Sequence, residues 1–256
     1  MSGKDEYYNR AKQEGYRARS AYKLQQLDET ADLLGEGRTV VDLGAAPGGW
    51  LQVAAERVGE NGRVVGVDRQ RIDPLEDSDT PVETIRGDIT EESTVESITD
   101  AVGSANLVLS DMAPNVTGEY ELDHARSVHL ARQALDVALE ILDAGGDLAV
   151  KVFDGRDLEA LKEDVKAEFE YVREVRPDAS RDSSSELYLV GKSRLTAPVR
   201  EGDTVEVDIV DEGSEGDGIA KVDGFTLFVA GASEGETVTV RIDDVKPRYA
   251  FAQPVE

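Results

Sequence analysis

The stretch YVREVRPDASRDSSSELYLVGK, residues 171–192, decides the fold. Its ends, 171–175 and 186–192, carry the β-branched and aromatic residues of strands. Between them lies RPDASRDSSS, a loop-like run without helical periodicity. Two strands with no crossover helix between them pair antiparallel or lie apart. Everything upstream follows the opposite pattern. RTVVDL (38–43), RVVGVD (63–68), VETIRG (82–87), NLVLSD (106–111) and GDLAVKVF (146–153) read as short apolar strands. Helical patterns over about 48–58, 91–102, 122–143 and 156–169 separate or follow them. Such alternation predicts a mostly parallel sheet covered on both faces.

A parallel α/β sheet that ends in an antiparallel hairpin departs from the dinucleotide-binding fold. It matches the class I methyltransferases, a Rossmann-like arrangement. Composition changes after Arg194. TVEVDIV, GIAKVDG, FTLFVAG and TVTVRIDDV alternate in strand fashion between Gly, Asp and Glu turns, which predicts a small all-β barrel. The expected division is residues 1–193 and 198–256, joined by SRLTAPV.

The 256 residues include no cysteine, which removes disulfides, a thiolate nucleophile and cysteine-based zinc sites. His124 and His129, five apart on one helix, lie on different faces and suit no paired metal role. No metal is expected. No apolar run approaches a membrane span, and the N-terminus lacks a signal-peptide pattern. A soluble, cytoplasmic protein without a membrane partner, and a monomer, is the expectation. The net charge of -26, from 54 acidic and 28 basic residues, taken alone opposes nucleic-acid binding. Yet the acid is spread along the whole chain over ordinary globular periodicity, as suits a protein kept solvated in high salt. There charges are screened over a few ångströms, and local basic clusters matter more than the total.

VVDLGAAPGGW (40–50) joins the first strand to the first helix of the sheet. Its glycines permit tight backbone, and the helix N-terminus beyond them offers free N–H groups. The spacing is G-x-x-x-G-G rather than the dinucleotide G-x-G-x-x-G, and Pro47 removes one N–H. S-adenosylmethionine therefore ranks above NAD. Asp68 ends the second strand, where a carboxylate accepts ribose hydroxyls. Asp88 follows the third strand, placed to receive the adenine amino group, and Trp50 is placed to line the pocket.

Asp111 ends the fourth strand, Lys151 lies within the apolar fifth, and Glu186 begins the last. Taken singly, Lys151 reads as a snorkelling strand lysine. Asp111 and Glu186 read as solvated or capping acids, and Lys23 as a solvated helix residue. Together, the strand-borne three lie where an open α/β sheet binds its ligand. YRARSAYKL, DLGAAPGGW, SDMAPN, AVKVF and SSELYLVG resemble the FtsJ/RrmJ (RlmE) family of ribosomal RNA 2'-O-methyltransferases across residues 6–193. The resemblance implies a Lys-Asp-Lys-Glu catalytic set at Lys23, Asp111, Lys151 and Glu186. It also implies cofactor contacts at Gly48, Trp50, Asp68, Asp88 and Asp111. A sulfonium methyl is already electrophilic, so alignment and deprotonation of a ribose 2'-hydroxyl remain to be done. A lysine serves as base only when burial or a neighbouring cation lowers its pKa. Lys151 has the apolar flanks, and Lys23 supplies a cation.

The first 23 residues interleave Lys4, Arg10, Lys12, Arg17, Arg19 and Lys23 with Tyr7, Tyr8, Tyr16 and Tyr22, suited to phosphates and bases. Arg181 could reach substrate from the loop before Glu186. Residues 198–255 resemble a TRAM domain, a β-barrel found on RNA-modifying enzymes. Lys221, Phe225, Phe228, Lys246, Arg248, Tyr249 and Phe251 could form its basic and aromatic surface, with Phe225 or Phe228 instead in the core. The resemblances imply methylation of a uridine in 23S rRNA, free or in the large ribosomal subunit. A tRNA ribose methyltransferase and a non-catalytic RNA-binding assembly factor are the competing readings.

Overall fold

The computed structural model describes residues 4–76, 78–181, 184–213 and 216–255. It resolves into two compact units: residues 1–167 with 171–192, and residues 168–170 with 193–256. The side chain of Lys4 lies outside the described residues.

The larger unit begins with α1 (Lys4–Glu14) and α2 (Ala21–Ala31). Gly15, whose φ of 82° favours glycine, ends the first of these helices. Then come β1 (Thr39–Leu43), α3 (Gly49–Val58), β2 (Arg63–Asp68), β3 (Val82–Arg86), α4 (Glu92–Val102), β4 (Ala105–Ser110), α5 (Tyr120–Ile141), β5 (Leu142–Phe153), α6 (Leu158–Lys166), β6 (Phe169–Val175) and β7 (Glu186–Arg194). The helix expected over 156–169 stops at Lys166, and fully buried Phe169 opens β6 instead.

The sheet runs β3-β2-β1-β4-β5-β7-β6. β3, β2, β1, β4 and β5 pair in parallel. β7 runs antiparallel to β5, with Lys151 opposite Tyr188 and Phe153 opposite Glu186. The 171–192 segment closes the sheet as expected, its two strands adjacent, with β7 seated between β5 and β6 and antiparallel to β5. Strand order reverses about β1, where β2 lies on one side and β4 on the other, the switch point beside which open α/β sheets form a crevice at their strands' C-terminal ends. Val40, Leu107, Leu109 and Ala149 on the sheet bury against Leu24 and Leu27 of α2 and Trp50 and Leu51 of α3. Each fully buried Leu or Val contributes roughly 1.5–3 kcal/mol over exposure.

The smaller unit is a closed barrel of β8 (Thr204–Glu212), β9 (Gly218–Val222), β10 (Phe225–Val229), β11 (Thr237–Val245) and β12 (Tyr249–Pro254), ordered β10-β12-β11-β8-β9. Closure removes the free edges that would otherwise template aggregation. Val207, Ile209, Leu227, Val240 and Ile242 fill its interior, and Phe225 packs against them. Phe228 faces outward with Tyr249 and Phe251, the three ring centroids 5.5–5.8 Å apart. Arg248 is exposed beside this trio. Lys246, expected to add free positive charge, is instead ion-paired with Glu170 at 2.8 Å and Asp244 at 3.2 Å.

Among the described residues no helix is long and apolar enough to cross a membrane, and no cluster of His, Cys, Asp and Glu could hold a metal ion.

Candidate active site

Four groups meet beyond the C-terminal ends of β4 and β5, where β7 begins. Lys151 Nζ donates to Asp111 Oδ1 at 2.8 Å and to the Asp111 main-chain oxygen. Lys23 Nζ lies 2.7 Å from Glu186 Oε1 and 3.8 Å from Asp111 Oδ1. Lys23 and Lys151 are both buried. Each tolerates burial because two cations face two carboxylates, so the cluster is neutral overall.

Lys23 reaches the cluster because the start of α2 is held from three sides. Trp50 Nε1 donates to Ser20 O at 2.7 Å, Arg19 to Ala179 O at 2.6 Å, and the Ala179 N–H to Gln26 Oε1 at 2.9 Å. The Lys23 ammonium also sits 5.9 Å from the Tyr188 ring centroid.

Tyr188 was not singled out from the sequence. Its hydroxyl donates to Asp111 Oδ1 at 2.6 Å, and its ring is fully buried. The available signal was strand periodicity, since Glu186 and Tyr188 are two apart on one strand and face the same side. Burial, with Asp111 and Glu186 nearby, pushes the Tyr188 phenol well above its ordinary range, so it stays a donor. Burial also pushes Asp111 up, but Lys151 and Lys23, with the Lys151 and Tyr188 hydrogen bonds, outweigh it and hold this carboxyl below its ordinary value.

The glycine loop carries further expected residues. Gly44 and Gly48 have φ of 82° and 106°. A Cβ on Gly44 would fall 2.4 Å from Met112 Cγ, and one on Gly48 would fall 2.9 Å from Arg17 Nη1. The close approach these glycines allow is therefore partly to the protein itself. Arg17 was expected to meet phosphate. Its guanidinium instead donates to the Pro47, Asp73 and Pro74 carbonyls, tying the loop to residues 73–74.

Asp68 accepts from the Ala46 N–H at 3.0 Å and the Gln70 N–H at 2.7 Å, which holds it at the end of β2 with lone pairs to spare. Asp88 accepts from the Thr90 N–H and hydroxyl, and these bonds, with Arg69 nearby, hold it below its ordinary value against slight burial. The Trp50 indole, expected to line a pocket, is only 3% exposed and tilts against Tyr188 at 5.9 Å.

Asp42 was also missed. It lies on β1 beneath the loop, 1% exposed, with neither carboxylate oxygen hydrogen-bonded. Burial pushes its carboxyl well above the ordinary range, and Asp111 and Asp68 add to the rise. Three acids thus converge near the end of β1, Asp42 enclosed and Asp68 and Asp111 at the ends of neighbouring strands. An acid whose folded pKa is raised stabilises the fold most below its unfolded pKa of about 3.9, and that stability is lost as pH rises through the folded value. Asp42→Asn, a neutral isostere, is expected to raise the unfolding midpoint at neutral pH by at least about 2–4 °C, and the gap should close near pH 4. Thermal melts across pH check this; an unchanged midpoint at neutral pH would count against it.

The sheet order with one antiparallel strand inserted between β5 and β6, and the acid-ringed glycine loop at the end of β1, define a class I methyltransferase. Comparison with known proteins specifies it further. The FtsJ-like methyltransferase family matches residues 16–194, and the TRAM domain matches residues 198–255. The chain belongs to the FtsJ-like methyltransferase family and carries a TRAM domain after it. It is 72% identical to "Ribosomal RNA large subunit methyltransferase E" of Haloarcula marismortui over 263 residues, covering all of both chains. It is 50% identical to the protein of the same name in Methanothrix thermoacetophila, covering 99% of this chain and 97% of that one. A crystal structure described as a ribosomal RNA methyltransferase from Plasmodium falciparum matches with a TM-score of 0.62 at 28% identity, over 70% of this chain and 98% of that one. The excess of acid fits the relatives in halophilic archaea.

Proposed function

We propose that this protein transfers a methyl group from S-adenosylmethionine to the ribose 2'-hydroxyl of a uridine in 23S rRNA, in the cytoplasm. The observation that carries the reading is the buried cluster of Lys151, Asp111, Lys23 and Glu186 beside the glycine loop. The names of the relatives support the rRNA substrate.

The backbone at Gly48 and Trp50, with the carboxylates of Asp68, Asp88 and Asp111, would hold the cofactor. When bound, S-adenosylmethionine supplies an electrophilic methyl group and a positive charge beside the acids. Lys151 is the base. Its Nζ is held by Asp111 Oδ1 and the Asp111 main-chain oxygen, and accepting a proton requires a free lone pair on that nitrogen. Glu186 holds Lys23, and Tyr188 holds Asp111, so the amine stays aimed at one point. Alignment of hydroxyl and methyl supplies much of the remaining rate. On the barrel, Phe228, Tyr249 and Phe251 offer stacking surface for unpaired bases, with Arg248 for phosphate.

The test is to map 2'-O-methyl sites in rRNA and tRNA from cells lacking the gene. Loss of one 23S rRNA mark, restored by the gene, is the expected result. Loss of a tRNA mark with rRNA unchanged would overturn the substrate.

A further inference from the structure

Tyr120 opens α5 at the rim of the site, and its side chain is 58% exposed. An exposed tyrosine is unremarkable when it is free to move. This one is pinned. Its hydroxyl donates to Asp154 O at 2.7 Å, and the Asp154 N–H donates to Ser185 O at 2.8 Å, next to Glu186.

Both supports of that bond are themselves fixed. Asp123 accepts from the Thr117 and Gly118 N–H groups and the Thr117 hydroxyl, which sets the start of α5. Buried His124 holds the other side: its Nδ1 lies 2.9 Å from Phe153 O, and its Nε2 accepts the Asp157 N–H at 3.0 Å. A Cβ on Gly155 would fall 2.5 Å from the His124 ring, so this turn has little room to shift.

The polar tip of Tyr120 is satisfied by protein, and what remains for a ligand is the ring face. Asp154 directly follows Phe153, the last residue of β5, three residues beyond Lys151. Arg156, whose Nε lies 3.4 Å from Asp157 Oδ1, follows it, and with its side chain 82% exposed the rest of its guanidinium is open to a phosphate. A rigid, open aromatic face with a nearby guanidinium suits an unstacked base on a sugar-phosphate strand.

We propose that Tyr120 is a stacking platform for the nucleobase neighbouring the reacting ribose, an inference that rests on the RNA methyltransfer reading above. Tyr120 touches neither the methyl donor nor the reacting hydroxyl, so it acts on RNA capture.

The experiment uses the full-length chain in molar salt with protein-free 23S rRNA as substrate, and compares Tyr120→Leu, Tyr120→Phe and Tyr120→Trp. Loss of one stacked base should raise KM for RNA in Tyr120→Leu about 5–100-fold. kcat and donor affinity should stay within about twofold. Tyr120→Phe and Tyr120→Trp keep a ring and should stay near wild type. If Tyr120→Phe fails as badly as Tyr120→Leu, the residue is only a strap for the Asp154 turn, and the proposal is overturned. An unchanged KM in Tyr120→Leu overturns it too, as does a defect seen only with intact ribosomal subunits, which would indicate a protein partner. Wild-type methyl transfer, on the same RNA or on large ribosomal subunits, is the control: its absence on both would defeat the functional reading, whereas normal transfer with an unaffected Tyr120→Leu defeats only the platform.

Discussion

Lys151→Ala is expected to slow methyl transfer about 10²–10⁴-fold while the protein still folds and binds donor. The size follows from what the amine does. A ribose hydroxyl is a poor nucleophile until its proton leaves, and positioned general bases contribute factors of that order. Lys151 Nζ is held toward the end of β5 by Asp111, which Lys23 also faces while pairing with Glu186. Removing it also deletes one charge from a neutral cluster of four, so the protein loses stability through an undercompensated Asp111. Lys23, 3.8 Å from Asp111, and the Tyr188 hydroxyl limit that loss. Single-turnover assays at saturating donor, with donor binding measured by calorimetry, separate chemistry from binding. Lys151→Arg keeps the charge, but its guanidinium does not give up a proton in proteins, so it should restore stability and not rate.

Asp111→Ala carries the second large effect, on both stability and activity. Its Oδ1 receives Lys151 at 2.8 Å and Tyr188 at 2.6 Å, and faces Lys23 at 3.8 Å. Without it, two buried ammonium groups share only Glu186. Breaking a buried pair by removing one member typically costs about 3–5 kcal/mol. At about 2–4 °C per kcal/mol, the unfolding midpoint should fall by roughly 6 °C or more. Because the folded pKa of Asp111 is lowered, its stabilisation is present above the unfolded pKa and lost as pH falls through the folded value. The deficit of the variant should therefore be full at neutral pH and shrink in acid. Melts from pH 3 to pH 7, with donor titrations at neutral pH, measure both effects; a variant as stable as wild type at pH 7 would count against the network.

The fold was legible because its signals are local. Short apolar strands, glycine punctuation and the loop between residues 175 and 186 point to one sheet type without knowledge of the packing. The placement of β7 between β5 and β6 was less accessible, since it depends on pairing between distant segments. The same division runs through the site. Lys151 stands out as a charge in an apolar strand, and Asp111 and Glu186 sit at strand ends. Lys23, by contrast, is an ordinary helix residue until Trp50, Arg19 and Gln26 hold α2 in place. Tyr188 and Asp42 look like any strand tyrosine and any strand-end acid. Their significance comes from burial and from the presence or absence of partners, which are tertiary facts. The Trp50 indole and Lys246 have partners within the protein for a related reason. Composition marks a ring or a charge as available, and neighbours then claim it: Tyr188 and Ser20 for Trp50, Glu170 and Asp244 for Lys246.

The most direct test of the catalytic cluster is the single-turnover rate of Lys151→Ala on 23S rRNA at saturating S-adenosylmethionine, read as 2'-O-methyluridine after nuclease digestion. The expected result is a rate lowered at least about 100-fold with donor affinity within about threefold of wild type. A rate within about threefold of wild type would contradict Lys151 as the base, and a methyl group found on a base rather than a ribose would contradict the reaction itself.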